Sequence, residues 1–121
     1  MYRGTNPGIS FRITSESFEL SNIKEVWITL KTWETEKTFV YSKGEVFVDE
    51  ISRTIAVTLT QEDTLEFEDG TVEVQMRLLD TSDNAFATQI FEIEMERILK
   101  DGVIKREDDL MTSNNLSRNR R

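Results

Sequence analysis

A chain of 121 residues with 37% apolar and 31% charged residues is sized for one domain with a modest core and a well-solvated surface. It has no cysteine and no histidine, which excludes disulfides, thiolate metal sites and Ser-His or Cys-His nucleophile pairs. Its net charge of −8 disfavours a general nucleic-acid binder, because neutralising phosphates supplies most of that affinity.

No apolar run approaches the roughly 18 residues a membrane span needs. The opening MYRGTNPGIS lacks the apolar centre of a signal peptide, so the chain is expected to be soluble and unsecreted, without a membrane partner. Residues 1–7 read as an N-terminal arm. Period-2 alternation then dominates. Ile9, Phe11 and Ile13 alternate with Ser10 and Arg12, and Val26, Ile28 and Leu30 with Trp27, Thr29 and Lys31. Between them, SESFELSNI (15–23) reads as a loop or single turn that packs Phe18, Leu20 and Ile23. Phe39 and Tyr41 mark a short third strand, and Val46 and Val48 flank Phe47 in a fourth. Ile55, Val57 and Leu59 mark the fifth, and Val72, Val74, Met76 and Leu78 the sixth. The seventh is long: Phe86 and Ile90 are even-numbered, whereas Phe91, Ile93 and Met95 are odd. Its inward face must switch near Gln89-Ile90, through a β-bulge or a crossing between sheets.

Turn residues separate these runs: Lys43-Gly44, Asp49-Glu50 with Ser52-Arg53, Asp69-Gly70, and Asp80 through Asn84. About seven short strands joined this way predict an all-β antiparallel sandwich or barrel. One helical turn is expected near 61–66. There Thr60 stands three residues before Asp63, a capping box made imperfect because Asp replaces the preferred Glu or Gln. Leu65 and Phe67 would then face the core. Residues 101–121 contain KREDD and end in SNNLSRNRR. They read as a mobile polar tail, in which Val103, Ile104, Leu110 and Met111 offer, as a second reading, a short helix on a partner.

Five acids, Glu62, Asp63, Glu66, Glu68 and Asp69, crowd the link before the sixth strand. A calcium loop of EF-hand type fails there, because counting from Asp63 puts Leu65 and Phe67 at ligand positions. Glu62 and Glu66 as an acid and base pair lack any signalled cleft. Solvated loop acids is the favoured reading, and no phosphate-cradling GxxxxGK[ST] or GxGxxG run occurs. Catalytic, cofactor and metal residues are therefore not expected, and neither is an enzyme. Trp27 points away from the inward Val26, Ile28 and Leu30. It is an interface anchor or is covered by the arm or by residues 15–23. Tyr2, Arg3, Pro7 and Trp33 complete the set of candidate interface residues.

"YRGTNPGISFRI" resembles the opening of small prophage-encoded proteins of Gram-positive bacteria, which begin with an Arg-Gly-Thr-Thr-Pro-like stretch followed by a strand. "NIKEVWITL" (22–30), "TIAVTLTQEDTLEFEDGTVEVQMRLL" (54–79) and "RILKDGVI" (97–104) are similar to the same group. These are strand-and-turn patterns whose joint order carries the likeness, and Asn6 stands where a second Thr is usual. Such proteins resemble the N-terminal domain of phage upper baseplate proteins. The resemblance implies an immunoglobulin-like β-sandwich over residues 8–100 and a structural, adaptor role at the baseplate. It also implies other tail subunits as partners, homo-oligomers, and a place in the virion or a phage-tail-like particle, with host cytoplasm during assembly. Two alternatives stay open: a free phage-encoded inhibitor of a host factor, and a carbohydrate-binding module in which Trp27 and Trp33 stack on sugar rings.

Overall fold

The structure, a computed structural model, describes residues 1–16 and 18–105. Its strands are β1 (Gly8–Arg12), β2 (Ile23–Lys31), β3 (Glu36–Val40), β4 (Phe47–Asp49), β5 (Thr54–Thr58), β6 (Gly70–Asp80), β7 (Ala85–Ala87) and β8 (Phe91–Met95), with one helix, α1 (Gln61–Leu65), between β5 and β6. They form two antiparallel sheets. The smaller has the order β1-β5-β4, and the larger β3-β2-β6 with β7 and β8 both on the far side of β6. This is the arrangement of the immunoglobulin-like frame, a B-E-D sheet facing a C′-C-F-G sheet. The alternation predicted from sequence builds it. Val26, Ile28 and Leu30 of β2, Val72, Val74 and Met76 of β6, and Ile55 and Val57 of β5 all turn inward and are buried in one shared core.

The long last strand is split in two, so eight strands stand where seven were expected. Arg77 pairs with Ala87 and Val74 with Phe91. Gln75 and Met76 therefore face three residues, Thr88, Gln89 and Ile90, which is one too many for a regular ladder. This is a β-bulge at the position where the apolar parity changes. Thr88 repairs the ladder: its N–H donates to the Met76 carbonyl at 2.9 Å, and its Oγ1 accepts from the Met76 N–H at 3.1 Å.

In the 15–23 segment a 3-10 turn over Leu20–Asn22 buries Leu20, and the Phe18 ring meets Phe86 edge-on at 5.2 Å. At α1 the capping box is complete despite its aspartate. The Asp63 N–H donates to Thr60 Oγ1 at 3.1 Å, and the Thr60 N–H donates to Asp63 Oδ2 at 2.8 Å. Phe67 reaches the core as expected, but Leu65 is only half-buried. It lies under the N-terminal arm, where a side chain at Gly4 (φ +72°) would stand 3.1 Å from Ile98 Cδ1 and 3.5 Å from Leu65 Cδ2. The residue wholly enclosed on α1 is Thr64. Its hydroxyl donates to the Thr5 carbonyl at 3.0 Å and accepts from the Thr5 N–H at 3.1 Å, riveting arm to helix.

Lys37 sits on the inward side of the edge strand β3, opposite Leu30, and its Nζ lies 3.0 Å from Glu66 and 3.2 Å from Asp63. A charge pointing inward on an edge strand deters pairing with another chain. Burial pushes the Asp63 carboxyl up, but bonds from Thr60 and the Lys37 ammonium outweigh it and hold the carboxyl below its usual 3.8. A carboxyl depressed in the folded state stabilises above its unfolded pKa, and that stability is lost as pH falls through the folded value. The fold should therefore weaken as pH drops below 3.8. Asp63→Asn should reduce that acid sensitivity, while costing about 1 kcal/mol at neutral pH through the lost carboxylate charge beside Lys37 and the first turn of α1. Urea unfolding of both proteins at neutral and acid pH checks this. Equal acid sensitivity would remove Asp63 from the account.

Candidate functional site

The arm is docked. The Met1 ammonium donates to the Glu94 carbonyl at 3.0 Å, the Glu96 N–H to the Met1 carbonyl at 2.6 Å, and the Arg3 N–H to the Glu96 carbonyl at 3.1 Å. Tyr2 thereby lies parallel to Glu96, with its side chain exposed. Arg3 spends its guanidinium inside the chain, on the Phe67 and Leu65 carbonyls and on Asp101. Pro7 is half-buried, and its carbonyl accepts from the Leu59 N–H. Of the arm candidates, only Tyr2 presents a largely open side chain. Residues 101–105 are also tied down, because the Gln61 side chain bonds both the N–H and the carbonyl of Ile104. The tail reading from 106 on lies outside the described residues.

Trp27 lies on the outer face of the large sheet and is 44% exposed, with the Arg77 guanidinium carbon 5.7 Å from its ring centre. The arm runs along β8 and Phe18 packs on Phe86, so neither covers it. Register builds a row across the sheet: Val40, Trp27, Arg77 and Ala87 stand side by side on β3, β2, β6 and β7. Next to it run Glu25, Leu79 and Ala85. Trp27, Arg77, Glu25, Leu79 and Ala85 border a shallow hollow of about 190 Å³. Further along, Thr29 and Thr38 bond hydroxyl to hydroxyl at 2.9 Å, and beyond them stand Glu36, Lys31, Glu73 and Glu92. The face thus grades from apolar to acidic.

Trp33 is 97% exposed in the turn between β2 and β3, three residues beyond the last buried side chain of β2. Sequence reasoning finds Trp27 by its parity. It misses Val40, Leu79, Ala85 and Ala87, which join Trp27 only through strand register. The parity signal was present, since Leu79 alternates with the inward Leu78, but which residues lie beside which requires the pairing.

Carboxylates of the described residues are held in separate local bonds. Burial pushes Glu25 up, but bonds from Ser42 and Val26 outweigh it and hold the carboxyl below its usual range, so it stays charged at neutral pH. Of the linker acids, Asp63 caps α1, Glu66 meets Lys37, and Glu68 accepts from the Thr32 hydroxyl at 2.7 Å. Among the described residues, no three Asp or Glu side chains converge as a metal site.

No family model and no curated protein matches this chain. A solved structure similar in fold is that of a candidate glycoside hydrolase from Bacteroides vulgatus ATCC 8482, with a TM-score of 0.50 and 11% identity over 82% of this chain. The match spans 16% of that protein, and likeness at this identity concerns the fold alone.

Proposed function

We propose that the chain is a non-enzymatic binding subunit that acts through protein–protein contacts, as an adaptor in the baseplate region of a phage tail or phage-tail-like particle. The observation that supports it is the Trp27 row: Val40, Trp27, Leu79, Ala85 and Ala87 gather apolar surface on the open face of a two-layer sandwich. A large aromatic at the centre of such a patch is the usual anchor of an interface. The resemblance of segments spread over most of residues 3–104 to baseplate-associated domains suggests the setting.

Trp27→Ala should cost about 1 kcal/mol of stability through lost cross-strand contacts with Val40 and Arg77, while weakening association with purified neighbouring subunits by 2 kcal/mol or more, about thirtyfold. Sedimentation of parent and variant with those neighbours measures this, and mass spectrometry of purified particles tests the setting. Equal assembly by both proteins would overturn the anchor role of Trp27. A protein absent from particles that binds glycans on an array would favour the carbohydrate-binding alternative.

A further inference from the structure

We propose that the open flank between β1 and β8 receives an extended segment of a partner protein, with alternating apolar and basic residues, as an added strand on β8. Along this flank β1 edges the small sheet and β8 edges the large one, and a groove of about 350 Å³ lies between them. Ile9, Phe11 and Ile13 line one wall and Phe91 and Ile93 the other, over the core residues Val74 and Met76. Phe91 remains 41% exposed although its ring meets Phe11 at 5.9 Å.

The backbone of β8 is ready to pair. Bonds from the arm show that Glu94 and Glu96 turn their backbone groups to the free edge. The two-residue period of a strand turns the Glu92 N–H and carbonyl, and the Glu94 N–H, to the same edge. The arm reaches only residues 94–96. Among the described residues, no segment lies against the edge at Glu92. The chain thus demonstrates on itself that this edge takes an extended segment, and it leaves the adjoining length open.

Side-chain direction selects the occupant. A strand laid on β8 points alternate residues into the groove, against Phe91, Ile93 and Phe11, and these must be apolar. The intervening residues stand beside Glu92 and Glu94 on the outer face, and a basic residue fits there. The charge row in the sheet calls for the same cation. Glu73 and Glu92 face each other directly across β6 and β8, in a pair whose backbone groups point away from one another, which brings the side chains close. Like charges in that position destabilise a sheet. Lys31, the base in the row, stands opposite Glu73 on the other side and is already 3.7 Å from Glu36. Three acids share one lysine, and a basic strand on β8 supplies the missing charge.

The test titrates the whole protein with a peptide of about eight residues, the length of a short strand, in which valine and lysine alternate. The same composition in two blocks and an alternating valine–glutamate peptide are controls. The expected result is saturable binding of the valine–lysine peptide, weaker at high salt, with amide shifts centred on Phe91–Glu94. Glu92→Lys should weaken binding at least tenfold while its melting temperature holds or rises, because it relieves the pairing with Glu73. That variant separates loss of binding from loss of fold. Trp27→Ala should bind the peptide normally, so failure here and failure of the adaptor reading are distinguishable. Equal binding of the blocked peptide, unchanged binding by Glu92→Lys, shifts elsewhere, or no binding would each overturn the proposal.

Discussion

Phe67→Ala should lower the stability of the fold by about 3–5 kcal/mol, the range for emptying a large aromatic from a closed core. Phe67 is 1% exposed and is the largest of the fully enclosed side chains. It sits in the short link between α1 and β6, where a polar, acid-rich stretch must turn back into a sheet. The ring anchors that link to the core, and its own carbonyl accepts the Arg3 Nε at 2.6 Å. Losing the ring therefore opens a cavity and loosens the acceptor that holds the arm. Against a total of about 5–15 kcal/mol for a typical domain, the variant should unfold at much lower urea. Phe67→Leu, which keeps most of the volume, should cost under about 1.5 kcal/mol. Urea midpoints of the three proteins settle it, and a loss below about 1 kcal/mol for the alanine variant would show that the link is not packed as described.

The fold was legible where one residue's parity decides burial. Val26, Ile28 and Leu30, and Val72 through Leu78, each declare an inward face without knowledge of any neighbour, because a strand with one wet face must alternate. The bulge at Thr88–Ile90 was legible for the same reason, as a change of parity inside one run. Sequence was silent where two distant segments meet. Thr64 looks like an ordinary helix residue, yet it is enclosed because the arm crosses it. Arg3 looks like a free basic residue on a mobile arm, yet 64 residues separate it from the Phe67 carbonyl it holds. Both contacts depend on the arm running parallel to the end of β8, which no local pattern encodes.

The same limit applied to function. The linker acids drew attention because they are dense in sequence, but density along a chain is not convergence in space. Asp63 and Glu66 share Lys37, Asp63 also caps α1, and Glu68 turns instead to the Thr32 hydroxyl. The surfaces that do converge, the Trp27 row and the β8 flank, are assembled from three or more strands. Their residues are scattered between Ile9 and Ile93. On the large sheet Lys37 guards the β3 edge and a bulge interrupts the other edge between β7 and β8, while among the described residues nothing covers the stretch around Glu92.

Arg3→Ala should cost about 2–3 kcal/mol, more than any exposed ion pair could explain. The Arg3 side chain is 16% exposed, and its guanidinium bridges the Leu65 carbonyl at the end of α1 at 3.1 Å and the Phe67 carbonyl in the link beyond it at 2.6 Å, while reaching Asp101. The last carbonyls of a helix have no partner within it, and leaving such acceptors without a donor costs about 1–3 kcal/mol each where water cannot reach them. Asp101 is 67% exposed, so Asp101→Ala should cost under about 1 kcal/mol. Arg3→Lys should not restore stability, because a single ammonium cannot span two acceptors that a planar fork bridges. Hydrogen exchange separates latch from bulk stability. With Arg3 gone, the Glu96 amide, which donates to the Met1 carbonyl, should lose protection before the amides of β2 and β6. Releasing the arm also lengthens the open edge of β8. Arg3→Ala should then bind the valine–lysine peptide more tightly than the parent although it is less stable. Unchanged protection at Glu96 would mean that the arm holds its place on β8 without Arg3.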